Sequence, residues 1–542
     1  MRKNQVLNIL AMGLFIILLL AGCSDSENNT GTSDAVEVGE PKTGGTITIA
    51  MSEEPDTLDL HKTGMLAATN VSANFGGALL SQNPETMEFE PNLAESWDVS
   101  EDGTTWTFKI RSGVTHHDGT PFNAKTYEAT LKRALDPATN ALTAKTQLAE
   151  VESVSAPDES TLVIKTKQPF APLLQYLSTP AYLLPMSMDA IEKHGDQYGR
   201  NPVSVGPWKF ESWVSGQEVT FVKNEDYNWK EPFFTNDGPP KPDKLVLKFI
   251  TDTQTKLAAL DSGTVDAALA LQAKDVEKYE NNPNFEIVET VRTGPSAFIM
   301  TNLRRPILQD IHVRRALNLG VDKENLLQAA IQGAGVVDYG PLPTSLFGYD
   351  ENIESYGYKY DLEKAKAELE EAGWKLNGKG IREKDGETLT LEMLSSPSWG
   401  TAAEILQAMY KELGIDIKIT TLEVAVLIET AAKGDYDLTM LGYASHDPDI
   451  LYMLMHSGQK EALNLGHIDN KQLDELLELG RSAVVPEERK NAYIEIQKLA
   501  VEEAWWVPLY TAKEYNVISK RVQGITVHPI RGILFNDAWV NE

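Results

Sequence analysis

A single cysteine in 542 residues, Cys23, excludes a fold held by disulfides. Everything after it must fold by burying apolar surface alone, without a thiolate nucleophile or cysteine-ligated zinc. Hydrophobic residues make up 42% of the chain, enough for a globular interior. The length exceeds what one core organises, so two or more lobes are expected.

The position of Cys23 carries a second message. Arg2 and Lys3 precede an uncharged stretch from Asn4 to Gly22, which ends in Leu20-Ala21-Gly22. A basic start, an apolar middle and small residues before the cut describe a secretory leader over residues 1–22. With cysteine next, the pattern resembles a bacterial lipobox, whose thiol receives a diacylglyceryl group. Asn4, Gln5 and Asn8 shorten the apolar run below the roughly 20 residues of a spanning helix. The expectation is an exported chain anchored by lipid on Cys23 to the outer face of a cell membrane, of Gram-positive type.

Residues 23–43 are small, polar and acidic, and read as a flexible stalk. Without Arg2 and Lys3 the chain holds 47 basic against 79 acidic residues, a net charge of −32. That balance opposes binding to nucleic acid or to anionic lipid surfaces.

Periodicity then gives the element types. Thr46–Ile49, Trp106–Ile110, Leu162–Lys165, Val219–Val222 and Leu245–Ile250 read as strands. In the second half Asp361 caps a helix with Leu362, Ala365 and Leu369 on one face, stopped at Gly373. A helix through Ile405, Leu406, Met409 and Leu413 closes at Gly414. The strand Ile415–Ile419, a helix over Val424–Lys433 and a strand over Tyr436–Gly442 follow. Strand–helix–strand order predicts an α/β layer. Residues from Val507 onward read as short strands and turns that rejoin the first lobe.

Three stretches carry a family resemblance: LAESWDVSEDGTTWTFKIRSGVTHHDGTPFNA (93–124), DIHVRRALNLGVDKENLL (310–327) and YDLTMLGYASHDPDILYMLMHSG (436–458). Together with Pro202-Val203-Ser204-Val205-Gly206-Pro207-Trp208, they resemble the extracellular solute-binding proteins of the oligopeptide, dipeptide and nickel class. The resemblance implies an α/β clamshell of two lobes with an extra subdomain inserted in the first. Lobe I would span 44–294, with the insertion at about 66–199; lobe II would span 295–506, and 507–542 would return to lobe I. The crossings fall at Thr293–Asn302 and Ala504–Tyr510. Such proteins close on a solute and deliver it to the permease and ATPase subunits of an importer.

The same resemblance points to cleft residues. Thr63, Gly64 and Met65 match a first-lobe strip that approaches the ligand backbone. Arg304 follows the first strand of lobe II and suits a ligand carboxylate. Trp399 offers a flat surface at a strand end. Peptide-binding relatives carry an extra aspartate a few residues before Asp-Pro-Asp, whereas Ser445-His446 stands there in this chain. Tyr443, His446 and Asp447 complete the candidate set. His116-His117-Asp118 reads as a structural turn, and Arg314-Arg315 as a structural helix start, with Asp322 as the next cap.

The leading expectation is therefore a monomeric receptor for an oligopeptide, without cofactor or resident metal. The alternatives are a receptor for a metal chelate, opine or oligosaccharide, a sensor built on the same lobes, and an exported hydrolase. The hydrolase has no Gly-x-Ser-x-Gly or His-Glu-x-x-His motif to support it.

Overall fold

The computed structural model describes residues 40–541. The leader, Cys23 and most of the stalk lie outside the described residues. Among the described residues no helix is long and apolar enough to cross a membrane.

The main sheet has two halves, which share one strand. In the first, Thr46–Met51 runs parallel to Lys244–Phe249 and Ala267–Leu271, and Glu218–Lys223 and Trp208–Val214 extend the far edge. In the second, Thr390–Ser395 runs parallel to Asp416–Thr421 and Leu438–Leu441, and Leu438–Leu441 pairs antiparallel with Ala297–Thr301. The strand Trp506–Ser519 belongs to both halves. Its first residues pair with Ala297–Thr301, and its later ones with Phe285–Val291 and Ala267–Leu271.

This strand differs from the short pieces expected after Val507. Pro508 has no N–H to give a ladder, which argues against a continuous strand. The structure accommodates it at a register shift, where Ala297 faces Tyr510 and Phe298 faces Pro508. The bulge lets the ladder resume beyond the proline.

Side chains on both faces of Ala297–Thr301 are buried, as a central strand between two helix layers requires. Ala297 and Ile299 join the core of Leu317, Leu406 and Tyr410, while Phe298 and Met300 join that of Leu451, Leu477 and Tyr493. The helices behind them start as the sequence predicts: Asp361 accepts from Lys364 N, and Asp322 from Asn325 N. Gly414 takes φ +79° just after the helix Gly400–Glu412.

A separate antiparallel sheet of four strands, Ala94–Val99, Thr105–Ile110, Thr161–Thr166 and Val151–Ser155, lies in the first part of the chain. Trp106, Phe108 and Ile110 point into its core and Lys109 points out, the alternation of a sheet with one buried face. His117 Nε2 lies 3.0 Å from Gly206 O, and burial lowers its pKa to about 4, so the His-His-Asp turn is structural. Arg314 is structural too, donating to the carbonyls of Leu308, Gln309 and Glu503.

Candidate functional site

The chain crosses between the sheet halves at residues 292–296, between Phe285–Val291 and Ala297–Thr301. The loop after Leu438–Leu441 lies across this linker and is tied to it three times. Tyr443 N donates to Pro295 O (2.7 Å) and Ser445 N to Thr293 O (3.2 Å). The Thr293 hydroxyl sits 3.0 Å from His446 Nδ1. Gly294 and Gly442 make the approach possible. A Cβ on Gly294 would lie 2.3 Å from Tyr443 O, and one on Gly442 would lie 1.9 Å from Ser296 O.

This seam gathers three of the expected residues. Trp399, half-buried at the start of its helix, lies edge-on to Tyr510 with ring centroids 6.4 Å apart. Its Cζ2 also lies 3.1 Å from the position of a Gly442 Cβ. Tyr443 packs near Phe298, and its hydroxyl is buried without a hydrogen-bond partner. His446 is crowded by protein yet keeps some surface, and Gly442 and Ala444 on the same loop are exposed. Neutral polar groups therefore gather at the crossing.

Of the other expected residues, Arg304, Asp447 and Thr63 are engaged within the protein. Arg304 donates to the carbonyls of Ala431 (2.9 Å) and Ala432 (3.2 Å), which end the helix Val424–Lys433, and to Asn302 Oδ1. Its charge thus sits at a helix C-terminus, where cations are favoured. Asp447 is buried and forms a bidentate pair with Arg489, at 2.6 and 3.1 Å. Thr63 turns its hydroxyl inward, donating to Asp56 Oδ1 (2.7 Å) and accepting from Met65 N (3.0 Å). Gly64 is exposed beside Thr143, and Met65 is half-buried.

Several residues here had no local signal. Arg481 lies over the rings of Tyr452 (4.1 Å) and Phe170 (5.4 Å), and its carbonyl accepts from Ala171 N (2.9 Å). Asp449, 3.3 Å from Arg481, is raised to about 7 by burial despite that arginine. The first part of the chain thus meets the 447–489 region directly. His528, from the C-terminal tail, reaches Gln82 O through Nε2 (3.0 Å), and its Nδ1 accepts from Ile530 N and Arg531 N. Burial, Arg531 and the nearby His446 keep this imidazole neutral, with a pKa lowered to about 3.

His446 is held to about 4 by burial. Its folded value lies below the ordinary 6.5, so the unfolded chain takes up the proton first as pH falls. The contribution is whole above pH 6.5 and is lost progressively down to about 4. Between pH 7 and 5 the wild-type chain is expected to lose about 1–2 kcal/mol more stability than His446→Gln. Urea midpoints at the two pH values measure the difference. Equal losses would show that His446 is not held neutral.

Comparison with known proteins agrees with this architecture. Residues 88–462 match the family described as bacterial extracellular solute-binding proteins, family 5 Middle. Heme-binding protein A of Haemophilus influenzae is 27% identical over 547 residues, covering 94% of this chain and 95% of that protein. The glutathione-binding protein GsiB of Escherichia coli (strain K12) is 28% identical over 508 residues, covering 91% and 94%. The structure of HbpA2 from Haemophilus parasuis superposes with a TM-score of 0.82 at 24% identity, over 92% of this chain and all of that one, and shares the fold. The chain is thus a solute-binding protein and not an enzyme, and it belongs to the bacterial extracellular solute-binding proteins of family 5.

Proposed function

We propose that the chain captures an oligopeptide between its two lobes at the seam of Trp399, Tyr443 and His446, and delivers it from the outer face of the membrane, to which lipid on Cys23 tethers it. The lobe limits go with this proposal: 44–294 and 507–542 for the first, with the insertion at about 66–199, and 295–506 for the second. The carrying observation is the buried Tyr443 hydroxyl without a partner, on the same loop as a neutral imidazole and exposed backbone. A buried polar group without a partner costs about 1–3 kcal/mol, which a bound solute's amide would recover. The charged candidates Arg304 and Asp447 are engaged within the protein, so recognition falls to neutral donors and acceptors. Such groups suit peptide main chain whatever its side chains. Gly64 and Met65 would meet the same solute from the first lobe.

Relatives named for heme and for glutathione show that this scaffold serves unlike solutes, so the ligand must be measured. Native mass spectrometry of the protein, purified without denaturation from a peptide-rich extract, is the test. A ladder of adducts sequenced as peptides is expected. One sharp non-peptide adduct would replace the oligopeptide with a chelate, opine or sugar. Once a peptide is in hand, Trp399→Ala should shrink the ligand-induced rise in thermal midpoint, which for wild type corresponds to about 2.7 kcal/mol at a hundredfold excess over Kd. An unchanged rise would remove Trp399 from the site.

A further inference from the structure

We infer that a second, separate site on the lobe of residues 295–506 binds one divalent transition-metal ion through His312, Glu368 and Glu371. His312 stands in the first turn of the helix Ile311–Leu319, and the two glutamates stand one turn apart at the end of the helix Leu362–Glu371. Residues three apart share a helix face, so both carboxylates turn toward the neighbouring helix. His312 Nδ1 lies 2.6 Å from Glu368 Oε2 and 3.6 Å from Glu371 Oε2, and all three donor atoms fall within 4.8 Å of one another. Around a tetrahedral ion with bonds of about 2.1 Å, donors stand about 3.4 Å apart. The side chains reach that spacing by small torsional changes, and water completes the shell.

A second observation, separate from the cluster's own geometry, also calls for a cation. Glu368 and Glu371 sit in the last turn of their helix, where the backbone dipole is negative, and no basic residue stands in that turn. Other carboxylates on and beside this helix are matched: Asp361 with Lys364, Glu363 with Lys366, Glu370 with Arg382. Lys364 stands four residues before Glu368 and spends itself on Asp361. Among the described residues the only side-chain ion pairs of Glu368 and Glu371 are with His312. Two carboxylates at the unfavourable helix end, facing an imidazole, form a set that a divalent ion would neutralise. One nitrogen and two carboxylate oxygens suit zinc, copper or nickel better than calcium, which prefers an all-oxygen shell.

The site differs from the solute seam in residues and elements, so the two are tested apart. Untagged full-length protein is stripped with chelator and titrated with Zn2+ by calorimetry, and with Co2+ by visible absorption. One Zn2+ per chain is expected, with a tetrahedral Co2+ spectrum. His312→Ala and Glu371→Gln should each weaken zinc binding at least tenfold while solute adducts in native mass spectrometry stay as in wild type. Glu371 is exposed, so its variant folds even if the histidine variant does not. Zinc binding of wild-type strength in Glu371→Gln and His312→Ala, or no stoichiometric zinc in the wild-type protein, would overturn the assignment.

Discussion

Arg489→Met should cost about 3–5 kcal/mol of stability, although the residue lies far along the chain from the loop it holds. Arg489 is buried in the helix Pro486–Glu502 and grips both oxygens of Asp447. Its Nε donates to Gly480 O (2.9 Å), and its guanidinium lies near the rings of Phe347 and Tyr493. Asp447 Oδ1 in turn accepts from Asp449 N (2.8 Å), fixing the turn that opens the next helix. Without the arginine, Asp447 keeps a buried charge beside Asp449, whose carboxyl is already pushed to about 7 by burial. One of the two must then take up a proton, so the loss should be larger at pH 8 than at pH 5. The double variant Asp447→Asn, Arg489→Met removes both charges and should regain most of the stability. Urea denaturation of the three proteins at both pH values checks this. A loss under about 1 kcal/mol in Arg489→Met would show that the pair is solvated and dispensable.

The contrast between this pair and the rest of the molecule marks what sequence could reveal. Elements were legible where periodicity and caps agree. The alternation of Trp106, Phe108 and Ile110, and the caps Asp361 and Asp322, all lie within a few residues of what they control. Trp399, Tyr443 and His446 were each named from short segments, and only the packing shows that they lie about one linker. Arg489 was not, since Pro486-Glu487-Glu488-Arg489-Lys490 looks like an exposed charged helix start. Its partner is 42 residues away, and only packing shows that the arginine points inward. The partners of Arg304 were hidden for a related reason. Its position after a strand suits a cleft, but its guanidinium is held by carbonyls of a helix well removed in sequence. Polar residues reveal their roles through partners distant in sequence, while apolar residues reveal theirs through spacing.

Gly294→Ala should be as costly as losing the arginine and should also abolish tight solute binding. Gly294 has φ +94°, which an L side chain rarely adopts, and this alone costs about 1–2 kcal/mol. The added methyl would also sit 2.3 Å from Tyr443 O and 2.5 Å from Ser445 N. Both are backbone atoms, and the loop that holds them is bonded to Pro295 and Thr293 on either side of the glycine. Relief therefore requires the loop to lift from the linker, which breaks those bonds and carries Tyr443 and His446 out of place. Crowding of this kind adds about 1–3 kcal/mol. Gly113→Ala separates the two causes: Gly113 has φ +77° with nothing within 4 Å of its Cβ position, so only the conformational cost applies. Stability should fall about 2–5 kcal/mol in Gly294→Ala and about 1–2 in Gly113→Ala. Solute affinity should drop at least tenfold in the first and stay unchanged in the second. Equal stability losses with full solute affinity in both would mean that the loop and linker are not pressed together. The seam would then have no part in holding the solute.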